Sequence, residues 1–302
     1  MWFKNAKIYT VDFGEITDLL SDPGQLQNTL EHVKFSPCLA GELTSIGFSP
    51  VLGREGAFCF ASGGSYFFKL TEENKILPSA VIKTALEERI DQKEAETGRR
   101  LQKKEKEDLK SALTGELTAK AFATRREILL WAHPGKRLCA VNVSSARRAE
   151  KALAMMRQAF PGFPAKVLQP RCAPEERLTS WVSEGSLPPK FVLGTDTVLK
   201  SPEDGSVIRA SKEDLTSEEI IAHIGAGKSV TELQLTYDDA ISVVLDSELC
   251  LKRIKFLDQY LEQNLPRKSK DAAADLQSLL ILQGSELAEL APLILELFDC
   301  EY

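Results

Sequence analysis

The sequence predicts an α+β protein, with mixed sheets interrupted by an inserted helical hairpin arm. Two observations carry this reading: β-rich runs flank the turn signals Gly63-Gly64 and Pro134-Gly135, and the long helical stretch ILPSAVIKTALEERIDQKEAETGRRLQKKEKEDLKSAL lies between those two strand pairs. A third, the run of strand patterns VTELQLTY, AISVVLD and LCLKRIKF, extends the same class into the C-terminal half.

Residues 3–11 read as a first strand. Asp22-Pro23 opens a helix through residue 33, with Asp as cap and Pro at the first helical position. Residues 58–61 and 66–70 form a hairpin around Gly63-Gly64. In the charged stretch, Pro78 and Ser79 suit a first turn. Val81, Ile82, Ala85, Leu86 and Ile90 recur at helical spacing. The apolar stripe then thins to Ala95 and Leu101 and returns at Leu109, Ala112, Leu113 and Leu117. A single helix from 79 to 117 would be roughly 58 Å long at about 1.5 Å per residue. Gly98 disfavours it, so two helices meeting near Lys103-Lys104 are expected, packed at the base and solvated at the tip.

Two strands then flank Pro134-Gly135, and Ser144 or Ser145 caps a helix that ends at Pro161-Gly162. Prolines 161, 164, 170, 174, 188 and 189 mark a module boundary near residue 170. Beyond it, residues 191–193 and GSVIRASK read as strands. Thr216 with Glu219 forms a capping box, and the three strands named above follow, then a polar loop. DLQSLLILQ fits either strand or helix; its length and Gly284 favour a strand. Ser285 begins a last helix that meets Pro292 and is kinked or begins later. The expected organisation is a discontinuous central α+β domain (1–75 plus 120–170), a helical hairpin tip (76–119) and a C-terminal α+β base domain (171–302).

Composition narrows the function classes. With 43% hydrophobic and 27% charged residues the chain reads as soluble and globular. No apolar run approaches the ~20 residues that cross a bilayer. The start lacks the features of a signal peptide, which favours the cytoplasm and no membrane partner. Six scattered cysteines without a CxxC pair read as free thiols, with Cys59 and Cys139 buried in strands. With histidine only at positions 32, 133 and 223, no metal, no cofactor and no catalytic residue is expected. GAGKS at 225–229 lacks the glycine that a phosphate-binding loop needs at position 222. It also follows a helix and precedes a strand, the reverse of that motif's order. Asp238-Asp239, and Asp246 with Glu248, could serve a metal-dependent nuclease, but they lie where turns commonly place Asp.

Charge is the informative property. The chain carries a formal −6, yet residues 75–151 hold 18 Lys+Arg against 11 Asp+Glu, a local +7 that points to a polyanionic partner. The candidate phosphate contacts are Lys75, Arg99, Arg100, Lys103 and Lys104, Arg125 and Arg126 at the arm's exit, Lys136, Arg147 and Arg148. Further on come Arg209, Lys212, Lys252, Arg253 and Lys255. Each cluster alone also reads as a solvated face. Together, with no base-reading motif, they suggest sequence-independent binding of double-stranded DNA. Phe122, between Ala121 and Ala123 in a polar surround, is either a core plug or a dimer-interface anchor.

WFKNAKIY, ILPSAVIKTALE, SSARRAEKAL, VIRASKEDLTSEEIIAHIGAGKSVTEL and LKRIKF resemble, in the expected order, the RdgC family of bacterial recombination-associated proteins. Residues 12–56 and 258–275 match least. The resemblance implies a ring-forming homodimer with a positively charged hole for duplex DNA. It also implies nucleoid association and restraint of RecA-promoted recombination, with helical tips making one dimer contact and base domains the other. Two other readings stay open: a module that acts directly on the recombinase, and a nucleotide-dependent enzyme that uses GAGKS.

Overall fold

The computed structural model describes residues 3–53, 55–266 and 269–301. The first strand, β1 (Lys7–Val11), is shorter than expected and buried throughout. Helices α1 (Ile16–Ser21) and α2 (Pro23–Glu31) follow. The Asp22 carboxylate caps α2, accepting from the amides of Gly24 and Gln25 at 3.0 Å each, and Pro23 takes the first helical position. After β2 (Thr44–Ser49), strands β3 (Cys59–Ser62) and β4 (Ser65–Lys75) form the expected hairpin. Gly63 and Gly64 there have φ of 57° and 79°, values that its two-residue turn needs and that glycine adopts without strain.

Helices α3 (Ser79–Thr97) and α4 (Lys103–Lys120) lie in sequence between β4 and β5 (Ala123–His133). Gly98, left-handed at φ 65°, stops α3, and the side chains of Gln102 and Glu105 form a capping box that starts α4. The two helices therefore separate between Gly98 and Gln102, just before the expected meeting point at Lys103-Lys104, which instead opens α4. Ile82, Ala85, Leu86 and Ile90 of α3 are half-buried, whereas Val81 is exposed.

The chain continues through β6 (Leu138–Val141), α5 (Ala146–Ala159), β7 (Ala165–Val167), α6 (Pro174–Ser183), β8 (Phe191–Lys200) and β9 (Val207–Ala210). It then forms α7 (Glu218–Gly225), β10 (Ser229–Tyr237), β11 (Ile241–Asp246), β12 (Leu251–Phe256), α8 (Asp258–Asn264) and α9 (Ala272–Leu297). The fold is mixed α+β with two antiparallel sheets. One has the order β2-β4-β5-β6-β1-β7 with β3 on β4, and the other β12-β11-β10-β8-β9. The chain divides into two compact units. One comprises Met1–His32, Pro50–Lys69 and Ile128–Tyr302; the other comprises Val33–Ser49 and Leu70–Glu127. The large apolar core belongs to the first unit and includes Trp131, Phe67, Leu233, Leu290 and Phe298.

Several expectations are corrected. DLQSLLILQ is helical and part of α9, which runs past Gly284 and through Pro292 rather than starting at Ser285. Among the described residues α9 is long and apolar enough to cross a membrane by length and composition, contrary to the reading of the sequence. Leu280, Leu287, Leu290, Ala291, Ile294 and Leu295 bury one side of it in the core. The capping box at Thr216 does not form. Asp214 accepts both the amide and the hydroxyl of Thr216, and α7 begins one residue later with Ser217 as its N-cap. Helix α6 occupies the proline-rich stretch, with Pro174 at its first position, and α8 occupies the expected polar loop. Cys139 is buried as expected; Cys59 is only half-buried.

Candidate nucleic-acid interface

The five-stranded sheet sorts its side chains by alternation. On β10, Val230, Leu233, Leu235 and Tyr237 enter the core, which leaves Glu232, Gln234 and Thr236 on the opposite, open face. The register carries this division across the sheet. Glu232 faces Val198, which faces Arg209; Gln234 faces Val244, which faces Lys252; Ser242 faces Lys255. Arg209, Lys252 and Lys255 therefore share one face, although they are distant in sequence. Arg253 joins them through an irregularity, since a φ of 51° turns it out of strand geometry. Its guanidinium crosses β11 and β10 to reach β8, with Nη1 3.1 Å from Asp196 Oδ2 and Nη2 4.0 Å from Glu232 Oε2.

Acidic groups pair with some of these cations. Lys252 Nζ lies 2.9 Å from Glu232 and 2.8 Å from Asp246. Burial pushes the Lys252 ammonium down, but the two carboxylates outweigh it and raise its pKa. Asp196 accepts the Ser211 hydroxyl at 3.0 Å and the Lys212 amide at 3.2 Å. Burial pushes its carboxyl up, yet those donors and the Arg253 charge hold it below the usual carboxylate range. Beside it, Gln234 Oε1 accepts the amides of Thr195 at 3.0 Å and Asp196 at 3.1 Å. The Gln234 stem lies so close over Gly194 that an added Cβ there would meet its Cγ at 2.6 Å. Asp196, Arg209, Ser211, Glu232 and Arg253 line a notch of about 150 Å³. Arg209, Lys212 and Lys255 are exposed and carry no ion pair among the described residues.

Elsewhere in this unit, Lys136 is exposed in the turn between β5 and β6. Arg147 and Arg148 are exposed in the first turn of α5. Cations at a helix N-terminus oppose the helix dipole, so the two arginines do nothing for helix stability.

The second unit holds the candidate residues of α3, α4 and the strands next to them in sequence. Arg99 grips Glu105 through two bonds of 2.9 and 2.7 Å, and that pairing, with the Gln102 amide, lowers the Glu105 carboxyl to about 2. Lys106 pairs with Glu94 at 3.3 Å and Arg89 with Glu116 at 3.2 Å, both between α3 and α4. Arg100, Lys103, Lys104 and Arg126 are exposed without an ion pair among the described residues. Arg125 lies 2.6 Å from Glu73 and stands 5.3 Å from the Phe35 ring centroid. Lys75 donates to the carbonyls of Leu39 and Ala40 at 2.7 and 3.2 Å. Phe122 is 87% exposed, which rules out the core plug. Exposed Ile76 donates its amide to the Phe122 carbonyl at 2.7 Å.

Other candidate strings take ordinary structural roles. GAGKS closes α7 and enters β10, with Gly227 at φ 89° and Lys228 Nζ on Ser206 at 2.7 Å. Asp238 and Asp239 occupy a turn with φ of 50° each. No group of three or more His, Cys, Asp or Glu among the described residues is arranged to hold a metal ion. Sequence reasoning missed Asp196, Glu232, Gln234 and Glu73. Alternation along β10 could have placed Glu232 and Gln234 on a polar face; nothing local marks Asp196 as the partner of Arg253.

A family model described as "Putative exonuclease, RdgC" matches residues 1–301. Curated relatives agree over nearly their whole length. "Recombination-associated protein RdgC" of Shewanella halifaxensis is 36% identical over 96% of this chain and 95% of its own. The same-named proteins of Tolumonas auensis and Proteus mirabilis are 35% and 34% identical. They cover 97% and 100% of this chain, and 96% and 99% of their own.

Proposed function

We infer, because the chain belongs to the RdgC family of recombination-associated proteins, that it binds double-stranded DNA through its phosphates as a ring-closed homodimer and so restrains RecA-promoted recombination. The observation that carries the reading is the open face of the five-stranded sheet, where Arg209, Lys252, Arg253 and Lys255 gather on a chain of net charge −6. Lysine and arginine release counterions from phosphates without reading bases, so such a face binds any sequence. In this reading α3 and α4 form a projecting tip, residues 171–302 a base, and 1–75 with 120–170 a central domain. Phe122, with Ile76 and Val81, makes a dimer contact, and basic groups line the hole together with the paired acids Asp196 and Glu232, while the unpaired acidic groups face outward. The protein acts in the cytoplasm on the nucleoid, needs no cofactor and has no membrane partner.

The test is a titration of labelled duplex at several salt concentrations. With about six phosphates neutralised, log affinity falls against log salt with a slope near −5. Unlabelled duplexes of unrelated sequence compete equally. A strong preference for one sequence, or affinity indifferent to salt, overturns the reading.

A further inference from the structure

We propose that Asp196 and Glu232 hold Arg253 in reserve, and that DNA binding exchanges these carboxylates for a backbone phosphate in the notch between Arg209 and Arg253. The proposal rests on the DNA-binding reading and adds a built-in competitor to it. Three features of the open face lead to it.

First, Arg253 is placed at a cost. A left-handed φ of 51° is unfavourable for a non-glycine residue, and strained positions of this kind persist where the surroundings fix them. The Asn5 side chain accepts the Arg253 amide at 3.3 Å and the Lys4 carbonyl accepts that of Ile254 at 2.8 Å. The bulge thus lays the guanidinium across the sheet towards Asp196.

Second, Arg253 is gripped loosely. Its contact with Asp196 is one bond of 3.1 Å, and Glu232 lies at the 4.0 Å limit of an ion pair. The side chain remains 60% exposed, whereas that of Asp196 is 23% exposed. A guanidinium has five donors in a fork that suits a phosphate's paired oxygens, so most of its capacity is unused here. An exposed pair of this geometry contributes little and exchanges readily.

Third, the notch sets two guanidinium groups around one space, with the carboxylates of Asp196 and Glu232 in its lining. Its walls are Arg209, which has no ion pair among the described residues, and Arg253; the Ser211 hydroxyl lies at its edge beside exposed Lys212. Its space of about 150 Å³ admits a phosphate group. Asp196 is fixed there by Ser211 and the Lys212 amide and stays in the lining when Arg253 turns to the phosphate, so it repels the incoming phosphate. The carboxylates thereby weaken binding and favour release. Lys252 differs: two carboxylates at 2.9 and 2.8 Å hold it, so it stays paired when DNA arrives.

The experiment compares wild type with Asp196→Asn, Arg253→Gln and the double variant by anisotropy titration of a fluorescein-labelled mixed-sequence duplex at several salt concentrations. Asparagine keeps an acceptor for Ser211 and the Lys212 amide, so the local turn survives. D196N binds about three- to tenfold tighter with a salt slope close to that of wild type, because the Arg253–phosphate contact forms in both, whereas loss of that contact in R253Q makes the slope shallower by about 0.9. R253Q weakens binding, and in its background D196N gains less than twofold. Glu232→Gln serves as a second probe and tightens binding by a smaller factor. Unchanged affinity in both D196N and E232Q overturns the exchange, as does a D196N gain that persists undiminished with R253Q. Absence of duplex binding by wild type and variants alike overturns the DNA reading itself, an outcome distinct from the other two.

Discussion

Glu73 shows how a single buried acid supports the strand that leads into α3. Its side chain is only 6% exposed, pairs with Arg125 at 2.6 Å and accepts the Cys38 amide at 2.8 Å. The Arg125 bond, and then the Cys38 amide, hold its carboxyl below the usual carboxylate range. A group whose pKa is lowered on folding stabilises the folded state above its unfolded value, near 4.3. That contribution is lost as pH falls through the folded value. Glu73→Gln is therefore expected to lower stability by about 1 kcal/mol at pH 7. The gap between wild type and variant should narrow below about pH 4, read from urea midpoints. A gap of constant size across that range would refute the assignment. Gly47 shows the complementary constraint, because an added Cβ would stand 2.5 Å from the backbone of Phe35.

At the scale of elements, α9 is the helix that the sequence disguised. Its Gly284 is no strand break; it lets the helix approach β4, where an added Cβ would meet Phe67 Cζ at 3.0 Å and Ser65 Oγ at 3.1 Å. Ser65 accepts the buried Trp131 indole N–H at 2.9 Å, so its side chain has little freedom to move away. Gly284→Leu should cost about 3 kcal/mol through overpacking, despite leucine's better helix propensity. Thermal unfolding of the variant at or above the wild-type midpoint would sink this account. The same comparison explains the misreading. A short apolar run is consistent with a buried strand or a buried helix, and only its neighbours decide. Where the signal is local, the sequence was legible: Asp22-Pro23 begins a helix, Gly98 ends one and Gly63-Gly64 turns a hairpin. Each acts through its own backbone or cap.

For the whole molecule, Phe122 is the economical test of self-association. An aromatic 87% exposed, beside exposed Ile76, contributes almost nothing to the fold of its own chain. Buried in a contact with a second copy, it would be the kind of aromatic that dominates interface energetics. Phe122→Ala should shift the mass measured by light scattering from dimer towards monomer and leave far-UV dichroism unchanged. An undiminished dimer mass would remove Phe122 from the contact.

Sequence by itself determined the α+β class, the interruption of the early strands by two charged helices, the segregation of basic residues within an acidic chain, and the family. These rest on local periodicity, turn chemistry, composition and ordered motifs, none of which needs long-range packing. Only tertiary structure decided that α9 is a helix, that Phe122 lies on the surface, and which cations stand free and which are held by acids. Arg253 meets Asp196 because sheet order sets β12 and β8 on one open face and a bulge aims the side chain across it. Pairing of that kind is a property of register and strand order, which no stretch of sequence carries alone.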